Sequence, residues 1–325
     1  MTFIGQLLLR RLPAHSSIQL VDVTDWARDE DFPVFPVGSK PKRRLISPDS
    51  ADHPLIPGHT YLFKTSTDWR IQQVWAEYLA YRLGALLGLP VPPSFIAQDR
   101  GNGEFGVLVE FFYGYAAQPQ ATLYSGADIL QRLGRNPGAD RPHGVATNIS
   151  VCRRLGLPSP ERWWTRLITF DALIGNTDRH TENWGFLMPG PDGERLAMAP
   201  IFDNGTSLGY QALDVQLRKG LAEQDVNKYI AGGRHHLGWD QRDDQRASHI
   251  QLVERLIRSY QGCEEVMQRV LDFDRGEFRA ILSQCVELEA PVPFITQRAD
   301  WVDSLVEERR SRLRKLSGGD VGALD

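Results

Sequence analysis

Asp178 and Asn183 lie five residues apart in the run Asn176-Thr177-Asp178-Arg179-His180-Thr181-Glu182-Asn183, and Asp203 follows in Pro200-Ile201-Phe202-Asp203-Asn204-Gly205. Phosphoryl transfer asks a protein for little beyond such groups. It needs a carboxylate to orient the attacking hydroxyl, oxygen ligands for a metal, and cations over the phosphates. A separation of five is that of the base and the metal-binding Asn in the protein-kinase catalytic loop. Asp203, twenty residues after Asn183, is expected at the end of an apolar strand, where a metal-binding carboxylate is required. The cations lie upstream. Lys64 closes the apolar run Tyr61-Leu62-Phe63 and suits the phosphate-contacting lysine, while Glu77, thirteen residues on, suits the carboxylate that holds it. Gly38-Ser39-Lys40-Pro41-Lys42 reads as a short loop over the phosphates, with Gly38, Ser39 and Lys42 as nucleotide contacts.

The elements that must position these groups follow from periodicity. Residues 18–23 alternate as a strand, and residues 47–59, rich in Pro, Asp and Ser, form a loop. Trp75, Leu79, Leu83, Leu86 and Leu87 recur at helical spacing up to Gly88. Residues 94–97 and 107–112 flank Asn102-Gly103 as a hairpin. Residues 114–140 have weak periodicity and join two lobes. Beyond them the chain is mainly helical. Ser159-Pro160-Glu161 opens a helix with a capping hydroxyl and a first-turn proline, and that helix ends near Gly175. Residues 184–188 and 196–199 flank Gly190-Pro191-Asp192-Gly193, so a hairpin joins the two halves of the site. Further helices are expected over 247–260, 263–271, 275–288 and 296–316. The predicted fold class is α+β: a two-lobed, protein-kinase-like fold with a mixed strand and helix N-lobe over 1–115 and a mainly helical C-lobe over 116–325. The N-lobe carries the phosphate loop, the lysine and the hinge, and the C-lobe the catalytic loop and the metal-binding Asp.

Bulk properties exclude other classes. A net charge of −4 provides no global field to draw the chain to nucleic acid or anionic lipid. No apolar stretch reaches the ~18 residues of a membrane span. The three cysteines are far apart and lack metal-ligand spacing, as expected of a reducing cytoplasmic compartment, with secretion as an effector left open. The apolar run at the N-terminus precedes Arg10 and Arg11, the reverse of a secretory signal, so a mature start is expected.

Several motifs need a decision. Gly101-Asn102-Gly103-Glu104-Phe105-Gly106 matches the dinucleotide fingerprint in letters, but a strand follows it rather than a helix, so it reads as a hairpin turn. Val109-Glu110-Phe111-Phe112 then becomes the hinge of a nucleotide pocket, with Glu110 and Phe112 contacting the cofactor through the backbone. His180 has no second His or Cys at ligand spacing and reads as a structural histidine bonded within its loop. Asp171 either braces that loop or faces solvent. Gly232-Gly233-Arg234-His235-His236-Leu237-Gly238-Trp239 either lines a peptide groove or connects two helices.

The stretch from Phe170 to Phe186, containing Gly175-Asn176-Thr177-Asp178-Arg179-His180-Thr181-Glu182-Asn183, resembles the catalytic loop of HipA-like serine/threonine kinases. Leu62-Phe63-Lys64 and Asp203-Asn204-Gly205 are similar to that family's strand lysine and Asp-x-Gly. The resemblance implies that Asp178 is the base, that Asn183 and Asp203 hold Mg²⁺, and that Lys64 contacts ATP. It implies a protein substrate with a Ser or Thr acceptor, autophosphorylation with Ser39 as the candidate, and a toxin or effector role with an antitoxin partner. Direct nucleic-acid binding and membrane association are not expected. The chain looks like a compact member without the extra N-terminal subdomain of longer ones. The competing readings are a small-molecule or lipid kinase and a non-catalytic ATP-binding or antitoxin-binding module.

Overall fold

The computed structural model describes residues 16–29, 42–113, 115, 121–134, 143–189, 196–220, 223–240, 243 and 245–317. Gly38 and Ser39 of the expected phosphate loop, and the turn from Gly190 to Gly193, lie outside the described residues.

Residues of Thr60–Thr65 alternate between buried and half-buried, the period-two signature of a strand with one face on a core. This strand, β4, follows β1 (Val21–Asp22), β2 (Ala27–Arg28) and β3 (Lys42–Ile46) in the chain. With β5 (Ser94–Asp99) and β6 (Glu104–Glu110) they form one sheet in the order β1-β5-β6-β4-β3-β2. The β5–β6 hairpin is pinned by Asp99, whose carboxylate accepts the Asn102 amide at 3.1 Å, so the glycine-rich run there is a turn. Helix α1 (Gln73–Leu86) packs on the sheet and is buried from Gln73 to Ala85. A helix buried all round needs cover on every side. The sheet gives one side, and α1 also packs against the helix over Arg275–Glu287 and the residues that follow it.

The second lobe contains β7 (Ala121–Ser125), α2 (Gly126–Arg132), α3 (Val145–Arg154), α4 (Pro160–Ile174), β8 (Gly185–Pro189) and β9 (Ala197–Met198). After these come α5 (Asp214–Leu217), α6 (Glu223–Gly232), α7 (His249–Ser259), α8 (Cys263–Val270), α9 (Arg275–Glu287) and α10 (Thr296–Arg314). Strands β7, β8 and β9 make a small antiparallel sheet. Helix α4 is the axis of this lobe, with α3, α7, α8 and α10 packed around it. Trp164, Leu167, Ile168 and Ala172 on α4 are all fully buried, as their helical spacing requires.

Four expectations are corrected. The strand expected over 18–23 shortens to Val21–Asp22, because Ile18 and Leu20 pack on the core without joining the ladder. The weakly periodic stretch holds β7 and α2, the first stabilised by pairing with β8 and the second by a capping box between Ser125 and Asp128. Ser159 has φ 46° and its side chain does not cap α4, so Pro160 and the first-turn acid Glu161 carry the start signal without the cap. No strand leads into Asp203. β9 ends at Met198, and Pro200, which has no N–H to give a ladder, is followed by a single bond from Ile201 N to Pro90 O.

Gly185 opens β8 directly after the catalytic loop, and a Cβ there would lie 2.3 Å from the Tyr124 carbonyl oxygen of β7. Backbone cannot yield as a side chain can. Gly185→Ala is expected to cost about 1–3 kcal/mol by overpacking, read as a lower denaturant midpoint with an unchanged slope.

Candidate active site

Lys64 stands on β4, with Lys42 of β3 and Val107 of β6 as its cross-strand neighbours. Directly opposed residues share a sheet face, so Lys42 and Lys64 lie side by side. The Lys64 Nζ is 3.1 Å from Asp203 Oδ1 and 3.3 Å from Glu77 Oε2. The other oxygen of Glu77 accepts the Asn204 amide at 3.1 Å. Glu77 thus grips the lysine with one oxygen and the chain beside Asp203 with the other. Burial alone would push the lysine pKa down, but the Asp203 and Glu77 carboxylates outweigh it and raise it, so the ammonium is charged.

The catalytic loop begins where α4 stops. Gly175 takes φ 69°, the left-handed turn that closes a helix, and a Cβ there would meet the Arg309 guanidinium at 2.7 Å. Asn176 then ties the loop together. Its Oδ1 accepts the Asp178 amide at 3.1 Å and the Thr206 hydroxyl at 2.8 Å, and its carbonyl accepts from His249 Nε2 at 2.7 Å.

Arg179 is fully buried and makes bonds to four parts of the site. Its Nε and Nη2 donate to the two oxygens of Asp171 at 2.9 and 2.8 Å, a bidentate pair. Nη2 also donates to Asn204 Oδ1 at 2.7 Å, and Nη1 to the carbonyls of Asn183, at 2.8 Å, and Phe202. Asp171 receives a third donor, His235 Nε2, at 3.1 Å. Burial would raise the Asp171 pKa, but Arg179 and then His235 hold it well below the usual carboxylate range, and Arg179 is raised in turn. Of the two readings for Asp171, the brace is therefore the one the geometry supports.

The second acid is placed differently. The side chain of Asp178 is 46% exposed where that of Asp171 is 0%, and His236 Nδ1 lies 4.0 Å from its Oδ1. Burial, Arg246 and the neighbouring His180 and His235 push the His236 pKa down to about 4, so this ring is neutral at pH 7. His180 accepts the Glu182 amide through Nδ1 at 3.2 Å, a bond within the loop. Asn183 donates Nδ2 to the Asp178 carbonyl at 2.7 Å, which leaves its oxygen as the atom with lone pairs to offer a cation. Asp203 has φ 58°, a left-handed conformation that costs an ordinary residue about 1 kcal/mol or more. The flanking bonds from Arg179 to Phe202 and Asn204 hold it there.

At the expected hinge, Glu110 turns its carboxylate inward to the Tyr115 hydroxyl, and its amide donates to Pro93 O. The Phe111 amide donates to Thr60 O, and His59 Nε2 to Phe111 O. Phe112 packs with Leu187 and Ala199, its ring 5.6 Å from that of Phe202. An apolar surface beside Asp203 thus comes from Phe112, and the Glu110 carboxylate points to the lobe's interior. Sequence reasoning placed Asn176, Arg179 and Asn204 inside the site motifs, and His235 inside the Gly232–Trp239 run, but gave none of them a role of its own. It did not single out Thr206 or His249, which carry no motif signal in the linear chain.

A strand lysine held by a helix glutamate, above a loop bearing Asp178 and Asn183, defines a two-lobed kinase-like fold. The family model described as HipA-like C-terminal domain matches residues 37–272, and the chain belongs to that family. It is similar to the serine/threonine-protein kinase CtkA of Helicobacter pylori (strain J99 / ATCC 700824), 26% identical over 249 residues, covering 74% of this chain and 70% of the relative. The crystal structure of the H. pylori proinflammatory kinase CtkA superposes with a TM-score of 0.73 at 19% identity, covering 92% of this chain and 97% of that one. A Shewanella oneidensis MR-1 complex of HipA, HipB and operator DNA matches with a TM-score of only 0.39 at 16% identity, covering 87% and 68%.

Two outcomes follow from the buried network. Arg179→Met strands Asp171 without its counter-charge and is expected to cost about 3–5 kcal/mol in equilibrium unfolding. His143 and His236 are pushed down to about 3 and about 4, and His249 well below its ordinary value, burial being the first cause in each. Each binds a proton more readily in the unfolded chain, near pH 6.5, so stability is fully present above about pH 6.5 and falls as pH drops toward the folded values. Asp171, also shifted down, is ionised in both states until its unfolded pKa is reached and adds its loss only below about pH 4. Denaturant titrations at pH 7.5, 6 and 5 check the trend, and His249→Gln should flatten it.

Proposed function

We propose that this chain is an ATP- and Mg²⁺-dependent protein serine/threonine kinase. The observation that carries the reading is the Lys64 ammonium set between Glu77 and Asp203, with Asp203 locked to the catalytic loop through Arg179. In such a site Lys64 and Lys42 neutralise phosphate oxygens, and Phe112, Leu187, Ala199 and Phe202 give the base an apolar floor. Asp178, exposed at the loop's mouth, orients the acceptor hydroxyl and takes its proton. The acceptor oxygen bonds to the γ-phosphorus as the bond to the β-phosphate oxygen breaks, and ADP leaves.

Among the described residues no group of three His, Cys, Asp or Glu side chains is placed to hold a metal alone. Asp203 and Asn183 offer two hard oxygen donors, which fits Mg²⁺, an ion that keeps several waters and takes the rest of its ligands from phosphates. Bound there, Mg²⁺ would offset charge on the phosphate oxygens. The serine/threonine acceptor class rests on similarity to CtkA, and Ser39, three residues before Lys42, is the proposed autophosphorylation site. A toxin or effector role with an antitoxin partner rests on family membership alone.

Purified protein with Mg²⁺ and γ-labelled ATP should label itself or a generic protein acceptor. Asp178→Asn should lower the rate about 10²–10⁴-fold, and Lys64→Met and Asp203→Asn should each lower it by at least about 10²-fold. Undiminished labelling by Asp178→Asn, or none by the wild type, would overturn the reading. Mass spectrometry of the product reports whether Ser39 carries the phosphate.

A further inference from the structure

Helix α10 lies outside the 37–272 match to the family, yet it reaches three parts of the site. Near its start, Arg298, only 2% exposed, donates Nε to Asp214 Oδ1 at 2.9 Å and Nη2 to the Ala212 carbonyl. The other oxygen of Asp214 accepts from Gln72 Nε2 at 3.4 Å, and Gln72 is the residue that opens α1. One line of bonds thus runs from α10, through the segment after Asp203, to the first turn of the helix that carries Glu77. Farther along, Trp301 Nε1 donates to Gly209 O at 3.4 Å, and a Cβ on Gly209 would sit 2.3 Å from that nitrogen. Arg309 then donates to Ala172 O at 3.3 Å and fills the space beside Gly175, where the catalytic loop begins.

The connection between α9 and α10 adds a second hold on α1. The Trp75 indole donates to Val292 O at 3.2 Å, and its ring lies 5.2 Å from Phe294 on one side and 6.0 Å from Phe105 of β6 on the other. Trp75 is two residues from Glu77 and 1% exposed. Any outward shift of α1 would bare this indole and part Gln72 from Asp214. In two-lobed kinases the lysine–glutamate pair and the metal-binding Asp must both be in place, and placement of the glutamate helix is what activation commonly controls.

We propose that α10 and the segment before it form a built-in strut that keeps α1 engaged, with Arg298 as a positioning residue, so that assembly of the site needs no modification of residues 203–217. The proposal rests on the kinase reading for its kinetic part and on packing alone for its structural part. It distinguishes this chain from kinases whose glutamate helix waits for a signal.

The test uses the full chain. Arg298→Met keeps the apolar bulk and removes the donors, and Arg298→Lys restores one charge-assisted bond. Expected for Arg298→Met is cooperative unfolding, hydrogen exchange of residues 73–86 and 205–217 at least about tenfold faster, and kcat down about tenfold with the acceptor KM unchanged. Arg298→Lys should recover part of the rate, and phosphatase-treated wild type should turn over without a lag. A folded Arg298→Met with wild-type exchange and kcat overturns the proposal, as does a lag after phosphatase treatment. Should Arg298→Met not fold, Gln72→Met, which removes only the α1 end of the line, is judged by the same two readouts. If the wild type transfers no phosphate the kinase reading fails, while the exchange of residues 73–86 still decides the strut.

Discussion

A guanidinium taken out of water is costly unless its donors find oxygens, and Arg179 finds them on three stretches of chain. Asp171 comes from the end of α4, Asn183 from the end of the catalytic loop, and Phe202 and Asn204 from either side of Asp203. Because the guanidinium is planar and its fork rigid, these stretches have one mutual arrangement that satisfies it. Asp178 is the residue before Arg179, so the position of the exposed acid is a consequence of where the buried base is tied. The left-handed backbone of Asp203 is held by the same group.

The two lobes are joined to this centre by a smaller triangle. Lys64 brings the sheet, Glu77 brings α1, and Asp203 brings the segment fastened to the catalytic loop. Glu77 divides its oxygens between Lys64 and the Asn204 amide, so the helix is tied to the lysine and to the segment bearing Asp203 together. Such an arrangement is stable only when α1 is held, and its burial on every side shows that it is. The outer cover comes from Trp75 against Phe294 and Val292, and from Gln72 on Asp214.

The long helices were legible because their apolar residues recur at a period that survives any tertiary arrangement. Expectations for 247–260, 263–271, 275–288 and 296–316 differ from α7 to α10 by one or two residues at most ends. The short elements were not. Strand β7 exists because β8 lies beside it, and five residues carry too little alternation to announce that. The approach to Asp203 looked like a strand from its apolar character, but Pro200 and the Pro90 carbonyl make it an irregular run. For the same reason His235 and His249 were visible as residues but not as parts of the site. Their bonds, to Asp171 and to the Asn176 carbonyl, span 64 and 73 residues of sequence.

Sequence alone determined the set of chemical groups and their order: a strand lysine, a helix glutamate, an Asp–Asn pair five apart and a later Asp beside glycine. Residue type and local spacing carry that much, since base, metal ligand and cation are properties of side chains. Only the tertiary structure decided which acid is sealed and which is open. Asp171 and Asp178 are seven residues apart and chemically identical, yet one is sealed against Arg179 and His235 and the other stands half in solvent. That difference is one of dielectric and donor count, set by chain segments remote in sequence, and no local pattern encodes it.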